Sequence, residues 1–295
     1  MTAARTIFRR FRRRDGTAYL LVLPYVLYFC AFVAYPLVFS LVLMFHRWNI
    51  VTPMEWIGVK NFTRMFGDPL FLKSLVNTLV FLAIHIPLQI AVALGIALLL
   101  NARLRFRSFF RAVYFMPVVV SGVVVTILWQ QMYLYDYGVF NSVLTSAGLP
   151  RVPWLVDPGF AMPSIAIMAT WKNVGIYIVL FLVGLQNIPG ELYEAADLDG
   201  AGTPKKFLHI TLPMLNPTVI AIVVLSTIGG FSLFIEPYVL TGGGPMQSTL
   251  SGMLYIYNQA FYFNHMGYAA TLGITFALIV LSVVVIQRKL IETEN

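Results

Sequence analysis

Glu191, Glu194 and Asp197 are the carboxylates whose spacing in this chain points most directly to recognition. At i, i+3 and i+6 they share one side of a helix, near its positive end, where negative charge is favoured. Ala195 and Ala196 keep the same segment slim. A slim acidic helix of this kind suits entry into a groove of another protein, although the same pattern also serves a solvated linker with a charged face. A second cluster is Trp171, Lys172 and Asn173, within an otherwise apolar run. A charge at that depth faces a water-filled cavity or a partner, because exposure to lipid is costly. Indole, ammonium and amide together suit a sugar, whose hydroxyls need hydrogen bonds and whose faces stack on rings. In the competing reading the span boundary is misplaced, and Lys172 snorkels or pairs within the bundle. Glu236 is a further candidate for a substrate path, but Pro237 beside it also fits a plain helix end.

Nothing in the chain reads as catalytic. His46, His85, His209 and His265 lie on different segments without an i, i+4 partner of ligand type, so no metal site is expected. Ser, His and Asp residues form no recognisable hydrolytic arrangement. There is no Walker A pattern and no Gly-Lys dipeptide, so ATP and its magnesium are expected on a different polypeptide and no cofactor on this one. Gly242, Gly243 and Gly244 read as a turn. Cys30, the single cysteine, has no disulfide partner and reads as inert packing.

The elements that must position these residues are set by composition. Hydrophobic residues make up 59% of the chain and charged ones 11%, and the mean hydropathy is +0.80. A soluble fold carries charge on roughly a quarter of its residues. The apolar residues are blocked in runs of about 20 or more, enough for a helix to cross a bilayer. Transmembrane barrels would show weak alternation instead. Six spans are expected, at about 18–45, 74–101, 112–135, 161–187, 215–240 and 266–287. The third contains Pro117 and Gly122, the fifth Gly229, Gly230 and Pro237; a bundle tolerates such breakers when neighbours satisfy the freed backbone groups. A cleaved signal peptide is not expected, since the first run is too long for one.

Lys and Arg set the orientation, being retained on the cytoplasmic side. With both termini inside, 14 of the 20 basic residues fall in inner segments, among them Arg5, Arg9, Arg10, Arg12, Arg13 and Arg14, then Arg103, Arg105, Arg107 and Arg111. The outer loops hold Arg47, Lys60, Arg64, Lys73 and Arg151. The net charge of +8 therefore points to anionic headgroups at the Arg-rich N-terminus and not to nucleic acid. No internal repeat is evident, which weakens a reading as a secondary transporter built from inverted halves.

Residues 188–213 join the fourth and fifth spans and read as two short helices. Pro189 suits a first helical position and Gly200 a left-handed cap. Thr203 and Pro204 then read as an N-cap and first-turn pair, and Pro213 as the stop of the second helix.

Glu194-Ala195-Ala196, three residues, Gly200, nine residues, then Ile210-x-Leu212-Pro213 resembles the EAA loop of permeases from binding-protein-dependent ATP-binding-cassette importers. The likeness extends over most of the chain and is nearest to the carbohydrate-uptake branch. It includes Pro36 after an aromatic, Gly58-Val59-Lys60-Asn61-Phe62, Asp68-Pro69, Asn77-Thr78, Phe110-Arg111 with Pro117, Trp171, and Leu240-Thr241-Gly242-Gly243-Gly244-Pro245.

The resemblance implies an all-α integral membrane protein with six transmembrane helices in a MetI-like importer permease fold. Residues 1–17 would be a basic cytoplasmic N-terminus, 18–287 the transmembrane domain and 288–295 a cytoplasmic tail. It further implies that Glu191, Glu194, Ala195, Ala196, Asp197, Gly200, Ile210, Leu212 and Pro213 dock a cytoplasmic ATPase dimer, Glu194 meeting a basic residue there. A second homologous permease, an extracytoplasmic solute-binding protein and the lipid bilayer complete the implied partners, in a bacterial or archaeal cytoplasmic membrane. No large outer-loop insertion is present, so no periplasmic clamp domain is expected. The implied cargo is a sugar or a related polyol or glycerol phosphate. The alternatives are a secondary transporter or channel not driven by ATP and, less favoured, a membrane-embedded enzyme.

Overall fold

The computed structural model describes residues 18–101 and 107–292. The chain divides into two compact units, Met1–Gly67 with Gln259–Thr275, and Asp68–Asn258 with Phe276–Asn295. The Arg-rich N-terminus, Arg103 and Arg105 lie outside the described residues.

The first unit begins with α1 (Ala18–Leu43), apolar on all sides and 6% buried over its most hydrophobic window. Cys30 is exposed on it, not buried against the described residues as the packing reading expected. Cys30–Ala34 form a π-helical turn in which the Tyr35 N–H reaches the Cys30 carbonyl. The turn comes just before Pro36, which lacks the N–H that an α-helix would need there. Beyond α1, β1 (His46–Arg47) pairs antiparallel with β2 (Glu55–Trp56), His46 opposite Trp56 and Arg47 opposite Glu55. Next comes α2 (Lys60–Phe66), whose Asn61 amide donates to the Met44 and His46 carbonyls at 3.0 Å each. The start of α13 (Met266–Glu292) lies against this hairpin, the Met266 N–H donating to the Trp48 carbonyl at 3.0 Å. Gly267 makes that approach possible: a Cβ there would stand 1.8 Å from the His46 carbonyl oxygen.

The second unit is built on two long helices, α3 (Pro69–Asn101) and α7 (Pro158–Gln186). Asp157 caps α7, its carboxylate accepting from the Gly159 N–H at 2.7 Å. One apolar core joins Ala93, Ala97, Ile178, Phe181, Leu215 and Ile222, and another joins Phe81, Met162, Ile165, Ala169, Phe231 and Phe276. Alanines at the contacts let helix backbones approach closely, as membrane bundles require.

Among the described residues, four helices are long and apolar enough to cross a membrane, or up to six if each bent pair is one span. α3 and α7 start at Pro69 and Pro158, ahead of the expected 74 and 161, and α13 runs on through Glu292, past the expected 287. The third and fifth spans are not the single helices expected at 112–135 and 215–240. Between α4 (Arg107–Val119) and α5 (Gly122–Met132) the axis turns by 106°. α4 carries Pro117, and Ser121 is extended at ψ 127. A short helix α6 (Val139–Ser146) follows α5. The fifth run is α10 (Asn216–Phe231), a non-helical stretch, then α11 (Ile235–Leu240). Pro237 cannot bond the Leu233 carbonyl, which accepts instead from the Ser251 hydroxyl at 2.6 Å. Ser251 in turn caps α12 (Gly252–Tyr257).

Candidate functional site

In the loop 188–213, α8 (Gly190–Leu198) is followed by α9 (Thr203–Met214). Gly200 adopts φ +72, the left-handed conformation that glycine reaches without steric penalty. The Gly200 N–H meets the Asp197 carbonyl at 3.1 Å, and the Ala201 N–H meets that of Ala196 at 2.9 Å. These two bonds are a Schellman cap, the stop expected from the glycine. Three local details differ from the sequence reading. Pro189 is the N-cap and not the first helical residue, because its ψ of 130 is extended. Gly202, not Thr203, is the N-cap of α9. Pro213 does not stop α9, which absorbs it through a π-helical turn at Phe207–Thr211 and bends by 60° only after Met214.

The loop residues divide by face. Glu191, Glu194, Ala195 and Asp197 are exposed, as are Gly200, Leu212 and Pro213, while Ala196 and Ile210 are half-buried. Ile210 and Tyr193 pack on the core of α3, α7 and α10, and the Tyr193 and Thr211 hydroxyls lie 2.9 Å apart. Asp197 is not a free carboxylate: Lys206 Nζ donates to it at 2.6 Å. Two features escaped the sequence reading. Tyr193 and Thr211 clamp α8 against α9, and Leu198 is 90% exposed at the end of the acidic stripe. Tyr193, two residues after Glu191 and so on the opposite face of the helix, was the available signal for the clamp.

The structure brings Lys172 and Glu236 together, Nζ to Oε1 at 3.4 Å with both side chains largely buried. They line a cavity of about 290 Å³ with Asn173, Tyr177, His85, Ser226 and Ser232. Asn173 also donates to the Ala169 carbonyl at 2.9 Å, one helical turn back. Trp171 does not join them. It is 46% exposed, its ring centroid 5.4 Å from that of Trp129. Consecutive helical residues point about 100° apart, so Trp171, Lys172 and Asn173 cannot all share one face. Tyr177, four residues beyond Asn173, was legible as the next position on the cavity side. Ser226, Gly229 and Gly230 recur at helical spacing on α10, and their small side chains leave the space open. Gly122, at the start of α5, lies so near that a Cβ there would stand 2.7 Å from Lys172 Nζ.

Residues 89–292 match the family model described as the binding-protein-dependent transport system inner membrane component. The chain belongs to this family. Among its relatives is the arabinooligosaccharides transport system permease protein AraP of Bacillus subtilis, 37% identical over 287 residues, covering 95% of this chain and 90% of that protein. The lactose transport system permease protein LacF of Rhizobium radiobacter is also 37% identical, over 285 residues, covering 95% of this chain and 94% of that protein. A solved structure of a bacterial ABC transporter that imports the acidic polysaccharide alginate superposes with a TM-score of 0.83 at 24% identity, covering 98% of this chain and 99% of that one. The permease therefore has the expected importer fold, and it is a transport component, not an enzyme. Membership in a multi-component system also removes the reading as a stand-alone secondary transporter.

Proposed function

We propose that the permease forms half of the translocation pathway for a sugar or a related polyol or glycerol phosphate. It couples to a separate ATPase dimer through residues 188–213. In this reading a second homologous permease supplies the other half of the path, a solute-binding protein delivers the cargo outside, and both termini and the coupling loop are cytoplasmic. The relatives named for arabinooligosaccharides and lactose support the sugar class. Hydroxyl, amide and ion-pair groups in the α7–α11 cavity support Lys172, Asn173 and Glu236 as path residues. Trp171, turned to Trp129, enters this proposal only as part of the adjoining surface.

The observation that carries the coupling reading is the construction of α8. Its inner side is held by Tyr193 and Ile210, leaving Glu191, Glu194 and Ala195 presented outward on a rigid, capped helix. A helix so held can transmit force, whereas a solvated linker cannot. Glu194→Lys reverses charge at the expected basic contact, and Ala195→Asp puts a larger charged group where a methyl fits. Close like charges across an interface cost several kcal/mol, and a loss of about 1.4 kcal/mol already weakens association tenfold. Both variants are expected to insert normally, lose co-purifying ATPase and lose solute-stimulated ATP hydrolysis in reconstituted membranes. Wild-type values of both in the two variants would end the coupling assignment.

A further inference from the structure

The first unit contains a cavity of about 590 Å³ that transport, as proposed, does not use. Its wall includes Arg47, Trp48, Glu55, Lys60, Arg64 and His265. α1 ends at Leu43 and the apolar run of α13 begins at Met266, so these residues lie where two spans leave the membrane. Residues 44–67 and 259–265 carry Arg47, Lys60 and Arg64 against one carboxylate, Glu55. Glu55 is engaged by Arg47 across the hairpin. Arg64 lies 3.9 Å over the Tyr268 ring and 3.5 Å from His265 Nδ1, held in place without a carboxylate. Lys60, one turn earlier on the same face of α2, makes no ion pair among the described residues. Burial, and secondarily the Arg64 guanidinium, holds the His265 imidazole below its ordinary pKa.

The same hairpin and helix expose large apolar groups, Val51 at 89%, Phe66 at 77% and Trp56 at 66%. Aromatic and basic residues mixed at the ends of membrane spans belong to the headgroup level of a bilayer. We propose that this cavity binds the phosphate of an anionic phospholipid, with Lys60 and Arg64 as its ligands and Val51, Trp56 and Phe66 set into the headgroup–acyl boundary. The Arg64 guanidinium offers a planar fork that matches phosphate oxygens. Val51, Trp56 and Phe66 lie on the same hairpin and helix without lining the cavity; an acidic protein partner would answer only the two cations, whereas a bilayer also takes up these exposed apolar groups. The inference needs only that the chain spans a membrane, and is independent of the cargo and of ATPase coupling.

Native mass spectrometry of the assembled importer, titrated with phosphatidylglycerol, phosphatidylcholine or inorganic phosphate, tests it on Lys60→Gln/Arg64→Gln. Removing two cations near the surface is expected to weaken phosphatidylglycerol binding roughly 30-fold. Phosphatidylcholine binding stays unchanged, and inorganic phosphate, without acyl chains, is retained by neither form. The exchange Lys60→Arg/Arg64→Lys keeps both charges and most of the binding, which separates loss of charge from loss of fold. Equal phosphatidylglycerol affinity in wild type and the neutral double variant overturns the proposal. So does inorganic phosphate held as tightly as the lipid, or a photo-crosslinker at Val51 that captures protein and no lipid.

Discussion

Lys172–Glu236 and Lys206–Asp197 are both lysine–carboxylate pairs, and the second unit uses them for opposite purposes. The first joins residues 64 apart in sequence at 3.4 Å, with side-chain exposures of 15% and 11%. The second joins residues nine apart at 2.6 Å, with Asp197 61% exposed. Distance alone would rank the loop pair as the stronger. Burial reverses the ranking, because water screens the exposed pair while a buried charge deprived of its partner has nothing to replace it. The cavity pair therefore ties α7 to α11 across a broken span. The loop pair does little more than trim the α8–α9 turn that the Schellman cap already makes.

The largest expected effect tests that contrast directly. Glu236→Gln leaves Lys172 buried and unpaired, and should cost about 3 kcal/mol, read as a lowered Tm of the purified complex. Lys172→Gln/Glu236→Gln should recover most of that loss. If the single and double variants melt together, the cavity solvates Lys172 and the two pairs do not differ in kind. A middle effect is expected from Gly122→Ala, whose new methyl would meet Lys172 Nζ at 2.7 Å. Because that atom is the tip of a flexible side chain, overpacking should cost only about 1 kcal/mol. In a Lys172→Ala background the cost should vanish, and its persistence would place the strain in the backbone of α5. Smallest of all, Asp197→Asn should shift stability by under about 0.5 kcal/mol, with the difference disappearing at high salt. A larger shift would mean that α8 depends on the ion pair more than on its cap.

The loop was almost fully legible because its determinants are local. Gly200 at φ +72 is a property of one residue and its immediate neighbours, and the acidic stripe follows from helical spacing. Two of the three errors there were single-residue shifts, Pro189 and Gly202 each taking the cap position. The prolines were harder. Pro213 reads as a stop but is absorbed, as Pro36 is, by a π-helical turn just upstream. Pro117 and Pro237 accompany real breaks, and the freed Leu233 carbonyl finds its donor in Ser251, which no periodicity predicts. Trp171, Lys172 and Asn173 were grouped because they are adjacent, yet adjacency on a helix separates faces.

The sequence by itself determined that the chain is helical and membrane-spanning, because runs of about 20 apolar residues have no other stable form in a bilayer. It also determined the capped acidic helix of the loop, whose geometry is written within a dozen residues. Only the tertiary structure decided that Glu236 is Lys172's partner, that the third and fifth spans are broken, and that Lys60 and Arg64 line one cavity. Those facts depend on which distant backbone lies close enough to replace a lost hydrogen bond or offset a buried charge. That proximity is a property of the packed chain and is absent from any local pattern.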